Sequence, residues 1–154
     1  MKNLKTIKLF VALSMLFVLT TSSMCSSDSS STSNSPADVV NIVNAGTWRV
    51  TYYYDTDHEE TTNFSGYTFT FGTSNVLTAV NGSNTYTGSW SVTDSNSDDD
   101  SISDLDFYVA FDAPAQFSKL TNDWEIMEKT ATLIKLRDVS GGNGGTDYLT
   151  FTKN

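Results

Sequence analysis

Cysteine, histidine and proline are scarce in this sequence, and each scarcity narrows the class of protein. The single cysteine, Cys25, has no partner for an internal disulfide, so the chain is not a disulfide-stapled fold. The single histidine, His58, has acidic neighbours but no second nitrogen or sulfur ligand that would complete a zinc site. Only two prolines occur, and Ser, Thr, Asn and Gly separate the short aromatic runs, as in all-β proteins.

Motifs for catalysis and cofactor binding are also missing. No Gly-x-Ser-x-Gly elbow occurs, and the glycine-rich run 141–145 lacks the Lys-Ser/Thr ending of a phosphate-binding loop. The acidic run 55–60 has Glu60 where a calcium loop needs its turn glycine. A spatial pair of carboxylates, as in glycoside cleavage, is the enzymatic alternative that stays open. We therefore expect a non-catalytic protein with no metal and no cofactor.

Basic residues are outnumbered two to one by acidic residues. The chain carries nine Lys and Arg against eighteen Asp and Glu, a formal charge of −9. Three of the lysines precede residue 9; without the leader, six basic and eighteen acidic residues remain, a charge of −12. Such a charge repels phosphate backbones, so we expect no nucleic-acid partner.

The first 24 residues have the pattern of a secretory signal peptide. Three lysines form a positive start, and the apolar core at 9–19 is too short to span a bilayer. Cys25 follows at the position of the lipidated cysteine in a bacterial lipobox, although Ser22 and Met24 replace the usual leucine and small residue. We expect export and acylation of the Cys25 thiol, which would attach the protein to a membrane. Ordinary signal-peptidase cleavage near Ser23 is the alternative.

The residues after Cys25 fit an anchored protein. An unpaired thiol in an exported chain is explained by acylation, and the serine-rich run at 25–36 has the composition of a flexible tether. The predicted location is the outer membrane or the cell surface, with a periplasmic or secreted protein as the alternative. A short helix is predicted at 37–44, where Val39, Val40 and Val43 recur at helical spacing.

From residue 46 onward the sequence alternates between apolar and polar residues in short runs, which is the period of β-strands. The clearest run is 67–71, in which aromatic residues alternate with threonine, and Asn81-Gly82 is a strong hairpin signal. Strands are predicted at 48–54, 67–71, 76–80, 86–92, 105–111, 124–128, 132–137 and 148–152, with a brief helical connector at 114–122.

This series of strands contains no βαβ pattern, so consecutive hairpins favour an up-and-down meander. Eight strands can close on themselves and leave no sheet edge exposed. We predict an all-β domain at 37–154 that forms an eight-stranded antiparallel β-barrel, and we expect a monomer. A β-sandwich is the alternative.

Three short motifs carry a resemblance to a known family. Gly46-Thr47-Trp48 opens the first strand, Gly88-Ser89-Trp90 repeats the pattern on the fourth, and Tyr148-Leu149-Thr150-Phe151 closes the series. This order resembles the lipocalin-like domains of Gram-negative bacterial lipoproteins over 46–154. The resemblance implies a barrel that binds a small hydrophobic molecule without catalysis. It also implies a late basic residue over the first-strand tryptophan, for which Arg137 and Lys153 are the candidates.

The predicted barrel interior is rich in aromatic residues. In the first strand, Trp48, Val50, Tyr52 and Tyr54 share one parity, so we expect them to point inward together. The candidate ligand-binding residues of the interior are Trp48, Tyr52, Tyr54, Tyr67, Phe69, Tyr86, Trp90 and Phe107. The alternative is that these rings fill the barrel, which would make the domain a structural or protein-interaction module without a ligand cavity.

Overall fold

The computed structural model describes residues 34–96, 101–140 and 144–154. The strands are β1 (Trp48–Asp55), β2 (His58–Glu59), β3 (Thr68–Phe71), β4 (Val76–Asn81), β5 (Asn84–Asp94), β6 (Leu105–Ala110), β7 (Asn122–Lys129), β8 (Leu133–Val139) and β9 (Thr146–Lys153). The helices are α1 (Pro36–Asn44) and α2 (Ala115–Ser118), with 3₁₀ helices at Thr61–Phe64, Thr73–Asn75 and Ile102–Asp104. The predicted signal peptide, Cys25 and the tether as far as residue 33 lie outside the described residues.

Eight of these strands close into an antiparallel up-and-down barrel. The order is β1-β3-β4-β5-β6-β7-β8-β9, and β9 pairs back onto β1. Closure is continuous because β1 pairs on both sides, with Trp48 opposite Phe69 of β3 and opposite Lys153 of β9. Strand β2 pairs only with the end of β1, where Tyr54 lies opposite Glu59. The predicted eight-stranded barrel is confirmed, and the β-sandwich alternative is wrong.

The alternation predicted from the sequence places one face of each strand in the core. In β3 the phenylalanines are buried and the threonines are half-buried, and in β6 Leu105, Phe107 and Val109 are fully buried. The buried apolar side chains form a single cluster, and no polar side chain of the described residues is buried with them. Apolar burial of this kind is the main favourable term in folding.

Strand β1 departs from this alternation, and the departure corrects one prediction. Its pairing with β9 shifts register between Val50 and Tyr52, which is a β-bulge at Thr51. One extra residue in a strand moves every side chain after it to the opposite face of the sheet. Tyr53 is therefore buried, whereas Tyr52 is 38% exposed. The predicted inward placement of Tyr52 and Tyr54 is wrong.

Helix α1 covers one end of the barrel. Ser35 caps it, because the Ser35 hydroxyl oxygen accepts from the Asp38 backbone N–H and the Asp38 carboxylate accepts from the Ser35 N–H, each at 3.3 Å. Pro36 suits the first turn because its missing N–H would have no helical partner. The helix buries Val39 and Val43. It matches the predicted helix at 37–44 to within one residue.

Candidate functional site

Aromatic rings occupy the barrel interior. The predicted interior residues that the structure buries are Trp48, Tyr67, Phe69, Trp90 and Phe107. The ring of Phe71 meets those of Trp90, Phe107 and Phe151 edge-on, with centroids 5.3–5.4 Å apart. Edge-to-face contacts at this spacing are the favourable geometry for aromatic pairs. The middle of the barrel is thus packed by side chains, as the narrow bore of an eight-stranded barrel allows.

Trp48 ties helix α1 to the barrel. Its indole Nε1 donates to the Val43 carbonyl oxygen at 2.8 Å, so the polar atom of this fully buried ring has a partner. Lys153 Nζ lies 5.7 Å from the Trp48 ring centroid, within the range of a cation–π contact. Lys153 therefore takes the position over the first-strand tryptophan. The other candidate, Arg137, pairs instead with Glu125.

Phe117 of α2 closes the opposite end of the barrel. It is fully buried, and its ring contacts those of Tyr67 and Tyr86, each at a centroid distance of 4.9 Å. Phe64, from the loop after β2, meets Phe117 edge-on at 5.5 Å. Tyr86, one of the predicted ligand-binding residues, is half-buried in this cluster. Four rings thus fill this end of the barrel.

A network of charged side chains lies over this closed end. Lys119, directly after α2, places Nζ 3.0 Å from Asp55 Oδ2 and 2.6 Å from Glu60 Oε1. His58 Nε2 lies 2.7 Å from Glu60 Oε1, and His58 Nδ1 pairs with Asp57. The hydrogen bond from Lys119 lowers the pKa of Glu60, while the bonds to Asp57 and Glu60 raise the pKa of His58. The network joins the β1–β2 hairpin to α2.

Tyr53 supplies a second tie at this end. Its hydroxyl donates to the Lys119 backbone carbonyl at 3.0 Å. Burial raises the pKa of the Tyr53 phenol, and the nearby carboxylates of Asp55, Asp147 and Glu60 raise that pKa further. The phenol therefore stays protonated and keeps its hydrogen bond.

An apolar groove lies on the outside of the barrel wall, across β1, β9, β8 and β7. We call it the outer-wall groove; its lining residues are Tyr52, Met127, Lys135, Leu136, Tyr148 and Thr150, and its volume is about 430 Å³. The rings of Tyr52 and Tyr54 lie within 12° of parallel, with centroids 6.4 Å apart. The Tyr148 ring lies 6.5 Å from that of Tyr54. Of the residues predicted to lie in the interior, Tyr52 thus lines this outer site and Tyr54 lies beside it.

Two ion pairs flank the groove. Lys135 Nζ lies 2.6 Å from Glu128 Oε2, and Arg137 Nη2 lies 2.5 Å from Glu125 Oε2. All four side chains are more than two-fifths exposed, so each pair contributes little to stability. The hydrogen bonds to Glu125 raise the pKa of Arg137 and keep it charged. The rim therefore offers donors and acceptors but no net charge.

A second, smaller cleft of about 170 Å³ lies between α1 and the β3–β4 turn. In that turn Ser74 and Asn75 adopt positive φ angles of 59° and 62°. The Asn75 side-chain amide donates to the Trp90 carbonyl at 2.8 Å, and Trp90 Nε1 donates to the Gly72 carbonyl at 3.0 Å. These two hydrogen bonds hold the strained turn in place. A structural role of the turn therefore accounts for the cleft beside it.

The groove residues that sequence reasoning missed are Tyr148, Met127 and Thr150. A signal was present for Tyr148 and Thr150, because they alternate with the apolar Leu149 and Phe151 and strand neighbours point to opposite faces. Met127 carried the same signal, because it follows the apolar Ile126 within the predicted strand 124–128; in β7 it lies at a register shift between Ile126 and Glu128.

Two absences hold for the ranges 34–96, 101–140 and 144–154. No helix there has both the length and the apolar character that crossing a bilayer requires. No three His, Cys, Asp or Glu side chains there are grouped so that they would hold a metal ion.

The fold and the packing define the chain as an eight-stranded antiparallel barrel with a short helix at one end. No family model matches the sequence, and no curated protein matches it. A DUF4847 family protein from Bacteroides vulgatus, known from a crystal structure, is similar in structure, with a TM-score of 0.46 and 16% identity over 75% of this chain and 97% of that chain. The expected kinship with lipocalin-like lipoprotein domains stays a prediction.

Proposed function

We propose that this protein is a non-catalytic, monomeric binding module of the bacterial cell envelope, attached to the outer membrane or cell surface by an acyl group on Cys25. In this proposal the packed barrel is a rigid scaffold, and the binding surface is its outer wall. The observation that carries the proposal is the division of the aromatic residues, with the interior filled and Tyr52 facing solvent beside Tyr54 and Tyr148. Exposed apolar patches on monomeric proteins commonly mark interaction sites.

The rival is a small hydrophobic ligand inside the barrel. Such a ligand would have to displace rings such as Phe71 or Phe117, and removing a buried phenylalanine costs about 3–5 kcal/mol. That cost is a large share of the roughly 5–15 kcal/mol that stabilises a typical domain. The packing therefore favours an outer binding surface over an inner one.

The state of His58 supports a non-catalytic role. Both ring nitrogens are engaged, one with Asp57 and the other with Glu60. A general base needs a free nitrogen within reach of the proton it abstracts. The same two hydrogen bonds raise the pKa of His58.

The anchor is tested by comparing the wild-type chain with Cys25→Ser in the native host. The wild-type protein should incorporate an alkyne fatty acid and sediment with membranes, whereas Cys25→Ser should be unlabelled and soluble. Ser26→Ala, which changes the neighbouring hydroxyl, is the matched control and should behave as wild type. Sedimentation of unlabelled Cys25→Ser would refute the anchor.

The packed interior is tested separately with the apolar probe 1-anilinonaphthalene-8-sulfonate. The protein should give no saturable 1:1 fluorescence increase that persists in Tyr52→Ala, and native mass spectrometry should show no retained molecule. A saturable signal that palmitate displaces, unchanged in Tyr52→Ala, would favour the interior ligand site instead.

A further inference from the structure

Stability does not require apolar side chains on the outside of the barrel wall, yet several are gathered at one place. Tyr52 is 38% exposed and Met127 is 49% exposed, and both line the outer-wall groove. Both lie at register shifts: Tyr52 follows the extra residue Thr51 in β1, and Met127 is itself the extra residue between Ile126 and Glu128 in β7. Bulges re-aim side chains and are over-represented beside functional sites. Two bulges thus lie beside one groove, and the bulge in β1 turns Tyr52 toward it.

The shape of the groove is fixed by the barrel. Tyr52 and Tyr54 lie two residues apart on β1, opposite Thr150 and Tyr148 of β9, and β9 is in turn paired with β8. Their rings are close to parallel, and the Tyr148 ring is tilted by 55° against that of Tyr54. Tyr52 and Tyr148 therefore line the groove, and the Tyr54 ring lies against both of them. A rigid strand-borne site of this kind loses little entropy on binding.

The rim narrows the chemistry of the ligand. Lys135 and Arg137 are each paired with a glutamate, and the chain has a net charge of −9, so an anionic ligand gains little attraction. A wholly apolar ligand would strip water from these ion pairs without replacing its hydrogen bonds. The ligand must therefore offer a flat apolar face together with several neutral hydroxyl groups.

We propose that the outer-wall groove binds a neutral carbohydrate, with the apolar face of a pyranose ring stacked on Tyr52 and Tyr148. The sugar hydroxyls donate to Glu125 and Glu128 and accept from Arg137 and Lys135. The groove volume of about 430 Å³ lies within the range of small-molecule sites, roughly 300–1,000 Å³. This inference rests on the proposed function insofar as it takes the outer wall as the binding surface.

The test is titration of the detergent-solubilised, full-length protein with neutral hexasaccharides: maltohexaose, cellohexaose, laminarihexaose, mannohexaose, xylohexaose and chitohexaose. We expect calorimetric binding of at least one of them, with Kd below about 1 mM. Tyr52→Ala and Tyr148→Ala should each weaken binding by about tenfold or more, because each removes a stacking face. Tyr52→Phe, which keeps the ring, should bind within about threefold of wild type.

The matched control is Tyr108→Ala. Tyr108 lies on β6, four strands from β1 in the eight-stranded order and one strand beyond β7, the last strand of the groove. Its removal should leave sugar binding unchanged. Circular dichroism of every variant separates lost binding from lost folding.

Three outcomes would overturn the proposal. They are no binding of any hexasaccharide at about 5 mM, an equal loss in Tyr108→Ala, and preferential binding of heparin or palmitate at the groove. Self-association that Tyr52→Ala abolishes would also overturn it, because the groove would then bind a second copy of the chain. Self-association would also contradict the proposed monomer, whereas the other three outcomes leave the Cys25→Ser and interior-probe results unchanged, so the proposed function and this inference fail separately.

Discussion

Replacing Phe117 with alanine should lower the free energy of unfolding by about 4–5 kcal/mol, the upper part of the range for a buried phenylalanine. Phe117 is fully buried, and its ring contacts five others at centroid distances of 4.9–5.9 Å. Phe69 and Tyr86 lie in paired strands, and Tyr67 and Phe111 lie next to strand ends, so these rings cannot move in to fill the space. The cavity penalty, about 24 cal/mol per Å³ of residual volume, is therefore added almost in full to the lost transfer free energy.

Urea denaturation followed by tryptophan fluorescence measures this loss. With an m-value of about 2 kcal/mol/M, a loss of about 4 kcal/mol lowers the midpoint by about 2 M. Met127→Ala, which truncates a half-exposed side chain of the outer wall, is the control and should change stability by less than about 1 kcal/mol. A loss below about 1.5 kcal/mol for Phe117→Ala would contradict the idea that Phe117 closes the barrel, since this is less than a buried phenylalanine contributes.

Two further perturbations test the ties at the two barrel ends. Trp48→Phe should lower the free energy of unfolding in urea melts by about 1–3 kcal/mol, because it leaves the Val43 carbonyl without its indole donor. A loss below about 0.5 kcal/mol would mean that this hydrogen bond is dispensable. For Tyr53, folding raises the phenol pKa, so the native state binds its proton more tightly than the unfolded state. The contribution of the protonated Tyr53 phenol to folding stability is complete below the unfolded pKa of about 10, and it is lost as pH rises above that value. Thermal melts at increasing pH should therefore show that the wild-type protein loses stability at alkaline pH. This loss should be smaller in Tyr53→Phe and unchanged in the control Tyr108→Phe. Equal losses in all three proteins would refute a stabilising role for the Tyr53 phenol.

Strand positions were predictable because a strand buried on one face must alternate. The run 67–71 shows this directly, since its aromatic residues are buried in β3 and its threonines are not. Closure into a barrel followed from strand number and the lack of crossover helices, and the structure confirms it. Local sequence and global fold therefore agree over most of the domain, which is expected of a sequence that specifies a single structure.

The candidate site was not predictable in the same way. A β-bulge depends on how two paired strands accommodate each other, and nothing in the run 48–54 marks Thr51 as the extra residue. The closure of the far end was hidden for a similar reason, because Phe117 lies in a connector whose only pattern was an apolar pair three residues apart. Both features depend on contacts between residues far apart in sequence.

The bulge at Thr51 separates two roles that adjacent tyrosines take. Tyr53 lies inside, where it bonds the Lys119 carbonyl and fits among packed rings, so its replacement must cost stability. Tyr52 lies outside, where substitutions usually change stability by less than about 0.5 kcal/mol. Binding at the outer-wall groove and folding of the barrel therefore depend on different faces of one strand. A change at Tyr52 that weakens binding but leaves the melting curve in place reports on the groove alone.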